Sequence, residues 1–127
     1  MSEPFFLSVA DVEEIHREAI AQFGGTLGLR DPGTLAAAVF QPQNAYFYGH
    51  ADRHDIAAAY AFHIAEAQAF LDGNKRAAVG AALVFLEGNG IATDADSMPV
   101  YDAMIGIARK EIGKAELATL LRKLFPA

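Results

Sequence analysis

Between the turn-forming clusters Asp72-Gly73-Asn74 and Gly88-Asn89-Gly90 lies Ala77–Leu86, a run of ten residues without a charge or a strongly polar side chain. The run is rich in alanine and leucine and bounded by helix-stopping residues, so it reads as a helix that is apolar almost all round. It is about half the length needed to cross a bilayer. Such a helix is stable only inside a core, with other elements laid around it. The rest of the chain offers helices for that purpose. Alanine occurs 26 times, largely within three- to four-residue periodic patterns, β-branched residues are scattered, and tryptophan is absent. Alanine has little side-chain entropy to lose and favours helix. The expected fold class is all-α, six helices in all, with five laid around the apolar one.

The first helix is expected from Ser8, an N-cap with Asp11 three residues on, to the Gly24-Gly25 stop, with Val12, Ile15, Ala19 and Phe23 as its apolar stripe. Asp31 and Pro32 suit the cap and first position of a second helix, which carries Leu35 and Val39 and is expected to end before Pro42. Residues 41–50 match neither helical nor strand periodicity and read as a loop or short hairpin displaying Tyr46, Phe47 and Tyr48. Those aromatics either cover a helix end or border a partner site. A third helix is expected over Asp52–Ala69, the central fourth over Lys75–Leu86, a fifth over Ser97–Lys110 with Pro99 in its first turn, and a sixth over Lys114–Phe125. No repeat or linker divides the chain, so residues 1–127 are expected to form a single domain.

Composition narrows the function classes. There is no cysteine, which excludes disulfides, thiol chemistry and cysteine-built metal sites. Ten Lys and Arg against sixteen Asp and Glu give a formal charge of −6, which argues against nucleic acid or an anionic membrane as the main partner. The N-terminal residues lack a basic leader and a cleavable apolar core, so the expected location is the cytoplasm.

The segment that carries chemistry is Phe70-Leu71-Asp72-Gly73-Asn74-Lys75-Arg76, at the mouth of the apolar helix. Backbone N–H groups at a helix start form an anion site, and the helix dipole favours negative charge there. Gly73 permits close backbone approach, Asn74, Lys75 and Arg76 add donors, and Asp72 is a hard oxygen ligand suited to magnesium beside phosphates. The plain structural alternative is a capped interhelical turn with a solvated basic pair. Glycine spacing here is neither that of the P-loop nor that of the dinucleotide fingerprint.

This segment resembles the signature of the Fic/Doc family, His-x-Phe-x-Asp/Glu-Gly/Ala-Asn-Gly/Lys-Arg at the start of a central helix. Lysine after the asparagine is similar to the Doc branch, the death-on-curing toxins. Phe23-Gly24-Gly25, Gly28–Gly33 and Ala82–Leu86 followed by Asn89-Gly90 resemble Doc-like proteins at the same spacing, so the likeness runs from about Leu7 to Phe125. The resemblance implies the compact six-helix form of the fold. It also implies transfer of phosphate from ATP, with Mg²⁺, to a threonine of elongation factor Tu, and silencing by an antitoxin whose disordered C-terminal segment folds into a surface groove. Under it, Phe70 anchors the motif and Asp72 holds the metal. Gly73, Asn74, Lys75 and Arg76 bind the nucleotide, and Arg76 neutralises its phosphates. AMP-transferring relatives usually carry an arginine three residues after Arg76, where this chain has Val79.

One departure bears on activity. The first residue of the signature, the histidine that takes the proton from the attacking hydroxyl, is Gln68 here. An amide has no useful basicity near neutral pH, and losing a positioned base costs about 10²–10⁴ in rate. The chain is therefore expected to be impaired or inactive. An inactivating change on an intact scaffold and a naturally degenerate binding protein both account for Gln68. His63 lies five residues earlier, about 140° around the same helix, and is not expected to point at the same spot. His16, His50 and His54 are expected to be structural, His16 lying opposite much of the first helix's apolar stripe. Arg30 and Arg53 are expected in surface ion pairs. A direct DNA-binding role fits poorly with the acidic charge and the lack of a basic recognition helix.

Overall fold

The computed structural model describes residues 3–127. Its elements are α1 (Val9–Phe23), α2 (Pro32–Gly49), α3 (Arg53–Ala67), α4 (Asn74–Gly88), α5 (Met98–Ala108) and α6 (Lys114–Leu124). Apart from one isolated bridge, Leu29 to Phe70, the described residues contain no β-structure, so the fold is all-α as expected. Local chemistry sets the helix starts. Ser8 and Asp11 exchange side-chain and backbone hydrogen bonds at the head of α1, Asp52 and Asp55 do the same for α3, and Asp31 accepts from the Thr34 N–H at the head of α2. Each such cap is worth about 1 kcal/mol.

The middle of the molecule is shared by α3 and α4. α4 was expected to be the central helix, yet Val84 on it is exposed, whereas Ile56 through Ala61 on α3 are six consecutive buried residues. α3 packs against α2, α4, α5 and α6, and α1 lies on α4. Small side chains make this possible: Ala57, Ala58 and Ala61 on α3 and Ala77, Ala78, Ala81 and Ala82 on α4 are all buried, so the two axes approach closely. One cluster of buried side chains draws on every helix, from Val12 on α1 to Leu121 on α6.

Two further expectations are corrected. α2 does not end before Pro42; it runs through it to Gly49, so residues 41–49 are helical and only His50, in the left-handed region at φ 55°, ends them. A proline inside a helix forfeits one hydrogen bond and crowds the preceding turn. Here Pro42 is buried, and Tyr46 one turn on packs edge-to-face against Phe6 at 5.7 Å, so tertiary contact holds the geometry that local propensity disfavours. The second correction concerns α1. Its buried residues are Val12, His16 and Ile20, while Phe23 is 52% exposed, so His16 lies on the inner stripe rather than opposite it.

No helix among the described residues is long and apolar enough to cross a membrane.

Candidate functional site

α3 ends at Ala67, and Gln68 turns the chain in the left-handed region, at φ 46° and ψ 43°. The next residues run beside the glycine-rich link between α1 and α2. Arg30 and Asp31 N–H donate to the Ala69 carbonyl at 2.6 and 3.1 Å, and Leu71 N–H donates to the Gly28 carbonyl at 3.0 Å. This pairing explains the glycines. A Cβ at Gly28 would lie 2.5 Å from Leu71 Cδ1, and one at Gly25 would lie 2.7 Å from Asp72 Oδ2. Phe70 is buried, as expected of an anchor, and its ring stacks on His16 with centroids 3.8 Å apart and planes 6° apart. Asn74 closes the turn: its Oδ1 accepts from Phe70 N–H and its Nδ2 donates to the Phe70 carbonyl, both at 3.0 Å.

α4 then begins. Gly73 caps it at φ 72°, and no side chain caps its first turn, so the N–H groups of Asn74, Lys75 and Arg76 retain the orphan donors of a helix start. These donors border a cavity of about 800 Å³ between the turn and α5. Gln68, Asp72, Gly73, Asn74, Lys75 and Arg76, all singled out from the sequence, line that one cavity. Arg30, Lys75, Arg76 and Lys110 supply four cations to its wall against the three acids Glu66, Asp72 and Asp102. In a chain of formal charge −6, this is a local reversal of sign, and it suits an anion. The Arg76 guanidinium is held over the Phe23 ring, 3.9 Å from its centroid, which places the charge without neutralising it.

Asp72 is the one carboxylate within the turn itself. Oδ1 accepts from Gly73 N–H at 2.8 Å and Oδ2 from Thr26 N–H at 3.2 Å, leaving each oxygen a free lone pair. Among the described residues no group of three or more His, Cys, Asp or Glu gathers to hold a metal. The residues therefore fit Mg²⁺ bound through one carboxylate and a ligand's phosphates, the usual sparse arrangement for that ion, and do not fit a cation held by protein alone.

None of the four histidines lines the cavity. His54 is buried and its Nε2–H donates to the Phe125 carbonyl at 2.7 Å. His63 accepts from Lys114 Nζ at 3.0 Å, and burial together with that ammonium lowers its pKa to about 4. Arg30, expected in a surface ion pair, forms none among the described residues and faces the cavity. Sequence reasoning missed the opposite wall, formed by Met98, Tyr101 and Ile105 of α5 with Asp102 and Lys110. The available signal was weak: Met98 and Ile105 are exposed apolar residues on a helix whose buried side is already supplied by Val100, Met104 and Ile107.

The Fic/DOC family profile matches residues 6–86. The chain is 32% identical over 120 residues to the protein kinase doc of Escherichia phage P1, covering 94% of each chain. It is 38% identical over 116 residues to the toxin Doc of Mycolicibacterium smegmatis, covering 87% of this chain and 88% of that one.

Proposed function

The chain belongs to the Fic/DOC family, on its Doc branch, and from that premise we propose that it is the toxin of a toxin–antitoxin pair. Its chemistry is transfer of the γ-phosphate of ATP to a Ser or Thr hydroxyl of a translation protein, with elongation factor Tu as the target. As it stands the chain is inactive or strongly impaired, because Gln68 occupies the general-base position. The observation that carries this reading is the Asp72–Arg76 turn, whose uncapped amides and two cations border a cavity large enough for a nucleotide, with Gln68 on the same wall.

In the transfer, the acceptor oxygen forms a bond to the γ-phosphorus as the bond to the β,γ-bridging oxygen breaks, and ADP leaves. Negative charge spreads over the phosphoryl oxygens, and catalysis consists mainly of positioning and charge stabilisation. The helix-start amides, Lys75 and Arg76 supply that stabilisation, while Asn74 keeps the turn closed and Gly73 lets the phosphates approach the backbone. Asp72 would hold Mg²⁺, which, when bound, neutralises phosphate charge. The apolar faces of Met98, Tyr101 and Ile105 suit a nucleobase. The hydroxyl proton needs an acceptor, and the Gln68 amide offers none of useful basicity. Val79, where AMP-transferring relatives carry arginine, is fully buried on α4, which favours phosphate over AMP transfer.

The antitoxin would lay a segment that orders on binding into a groove. A second concavity of about 400 Å³ suits it, lined by Phe5, Ile15 and Val84 together with Asp11, Glu14 and Glu18, and so matched to an apolar segment bearing basic residues. The non-basic Gln68 also favours a second reading, a binding protein of this fold that captures nucleotide or partner without transfer.

The test is a matched pair, this chain and Gln68→His, each incubated with Mg²⁺, α- or γ-labelled ATP and purified elongation factor Tu. γ-Label transferred by the His variant supports the kinase reading. α-Label transfer would establish AMP attachment instead. Absence of both labels from a folded His variant would overturn the proposed reaction on that target, and ATP binding in that case would favour the binding protein.

A further inference from the structure

His16 is buried, and its Nε2 lies 2.7 Å from the Asp72 carbonyl oxygen. A carbonyl only accepts, so Nε2 carries the proton and donates. The ring is fixed by its stack on Phe70, a residue itself anchored in the core. The bond from α1 therefore ends on one particular peptide, Asp72–Gly73, at the head of the anion site. That peptide is the one in the turn most free to rotate. It precedes a glycine at φ 72°, where both the present orientation and one flipped by half a turn are sterically open.

The two orientations differ in what they offer an anion. The peptide is trans, so its C=O and N–H point in opposite directions. With the carbonyl on His16, the Gly73 N–H points away from α1 and donates to Asp72 Oδ1. Flipped, the carbonyl oxygen would replace that N–H beside the Asp72 carboxylate and the start of α4, adding negative charge where phosphates bind. We propose that His16 is a positioning residue of this site: its Nε2–H locks the Asp72–Gly73 peptide in the orientation that keeps the turn receptive to phosphate. The functional half of this inference rests on the phosphate-binding reading of the turn; the lock itself does not.

Both halves are testable without transfer activity. In the unaltered protein, the long-range ¹H–¹⁵N spectrum should show a proton on His16 Nε2. A ring protonated at Nδ1 alone would overturn the lock, because its Nε2 could then only accept. Glutamine places an N–H close to where Nε2 stands, and phenylalanine keeps the stack while removing the donor. His16→Gln should therefore retain slow amide exchange at Leu71 and Gly73, whereas His16→Phe should exchange at least tenfold faster there while its other core amides stay protected. Mg²⁺–ATP affinity should follow the same split, weakening about tenfold in the Phe variant alone, as loss of one buried hydrogen bond implies. A Phe variant matching the unaltered protein in turn exchange would reduce His16 to a core filler and overturn the proposal. Should the Phe variant fail to fold, the tautomer and the Gln variant decide: Nε2 protonation with retained turn protection supports the lock, and either one failing overturns it. If the unaltered protein binds no ATP, the phosphate-binding reading fails, and the tautomer and exchange data still judge the lock separately.

Discussion

Gln68 holds a backbone conformation that most residues with a Cβ avoid. Its left-handed φ of 46° costs roughly 1–2 kcal/mol relative to a right-handed residue, and the helix exit imposes it whatever the side chain. Histidine is among the residues enriched in that region. Gln68→His should therefore leave Tm within about 2 °C while raising γ-phosphate transfer by about 10²–10⁴, measured on the same protein preparations. A His variant that folds but gains no activity would overturn the proposed reaction on elongation factor Tu. The glycines of the α1–α2 link allow a sharper comparison. Gly24 and Gly25 both have positive φ, 86° and 117°, but only a Cβ at Gly25 meets the Asp72 carboxylate. Gly24→Ala should cost only conformational strain, about 1–3 kcal/mol, because φ 86° with ψ 176° is a region that essentially only glycine adopts. Gly25→Ala should cost about 1–3 kcal/mol more than that in urea unfolding and also weaken ATP binding, because it displaces Asp72. Equal effects at the two positions would show that the link does not support the turn.

Among the elements, α3 and α6 are joined by charge at one end and by a neutral histidine near the other. Arg122 of α6 spans Asp52 and Asp55 at the head of α3, with contacts of 3.1 and 2.6 Å, but all three side chains are substantially exposed and the pairing is worth at most about 1 kcal/mol. His63 has a more distinctive consequence. Burial and the Lys114 ammonium hold its pKa near 4 in the fold, against an ordinary value of 6.5. The unfolded chain takes up a proton between those values and the folded chain does not, so stability is complete above pH 6.5 and falls as pH drops toward 4. Discounted for a half-buried ring, the loss should be about 1–2 kcal/mol, and His63→Gln should remove most of it in unfolding curves compared at pH 7 and pH 5. The elements were largely legible because their ends are written in short-range chemistry: Ser8 with Asp11, Asp31 before Pro32, Gly88-Asn89-Gly90. Pro42 misled because its cost is local, whereas its compensation, the packing of α2 on α3 and of Tyr46 on Phe6, is tertiary. The signature turn was legible as a contiguous motif. The α5 wall and His16 were not, since each reaches the cavity or the turn from a helix distant in sequence, and periodicity does not reveal which helices become neighbours.

At the scale of the whole molecule, a chain of formal charge −6 has to attract a polyanion, and the cavity's four cations are offset by three acids. The margin is narrow, so the anion is held mainly by directed donors, the helix-start amides and Arg76 on Phe23, rather than by net charge. Asp72 then stands beside bound phosphates as a like charge unless a cation lies between them. This arrangement makes the metal and the nucleotide depend on each other. Mg²⁺ alone meets one carboxylate and should bind no tighter than millimolar, while in the presence of ATP the pair should bind together. Calorimetry can separate the contributions. Mg²⁺ should strengthen ATP binding at least tenfold in the unaltered protein. Asp72→Asn removes both the repulsion and the ligand, so it should tighten metal-free ATP binding and abolish most of the Mg²⁺ enhancement. Arg76→Ala should weaken binding with and without the metal by a similar factor, because its charge acts on phosphate directly. Micromolar Mg²⁺ binding without nucleotide, or an Asn variant with an unchanged metal response, would remove Asp72 from the metal and leave it a structural partner of Thr26 and Gly73.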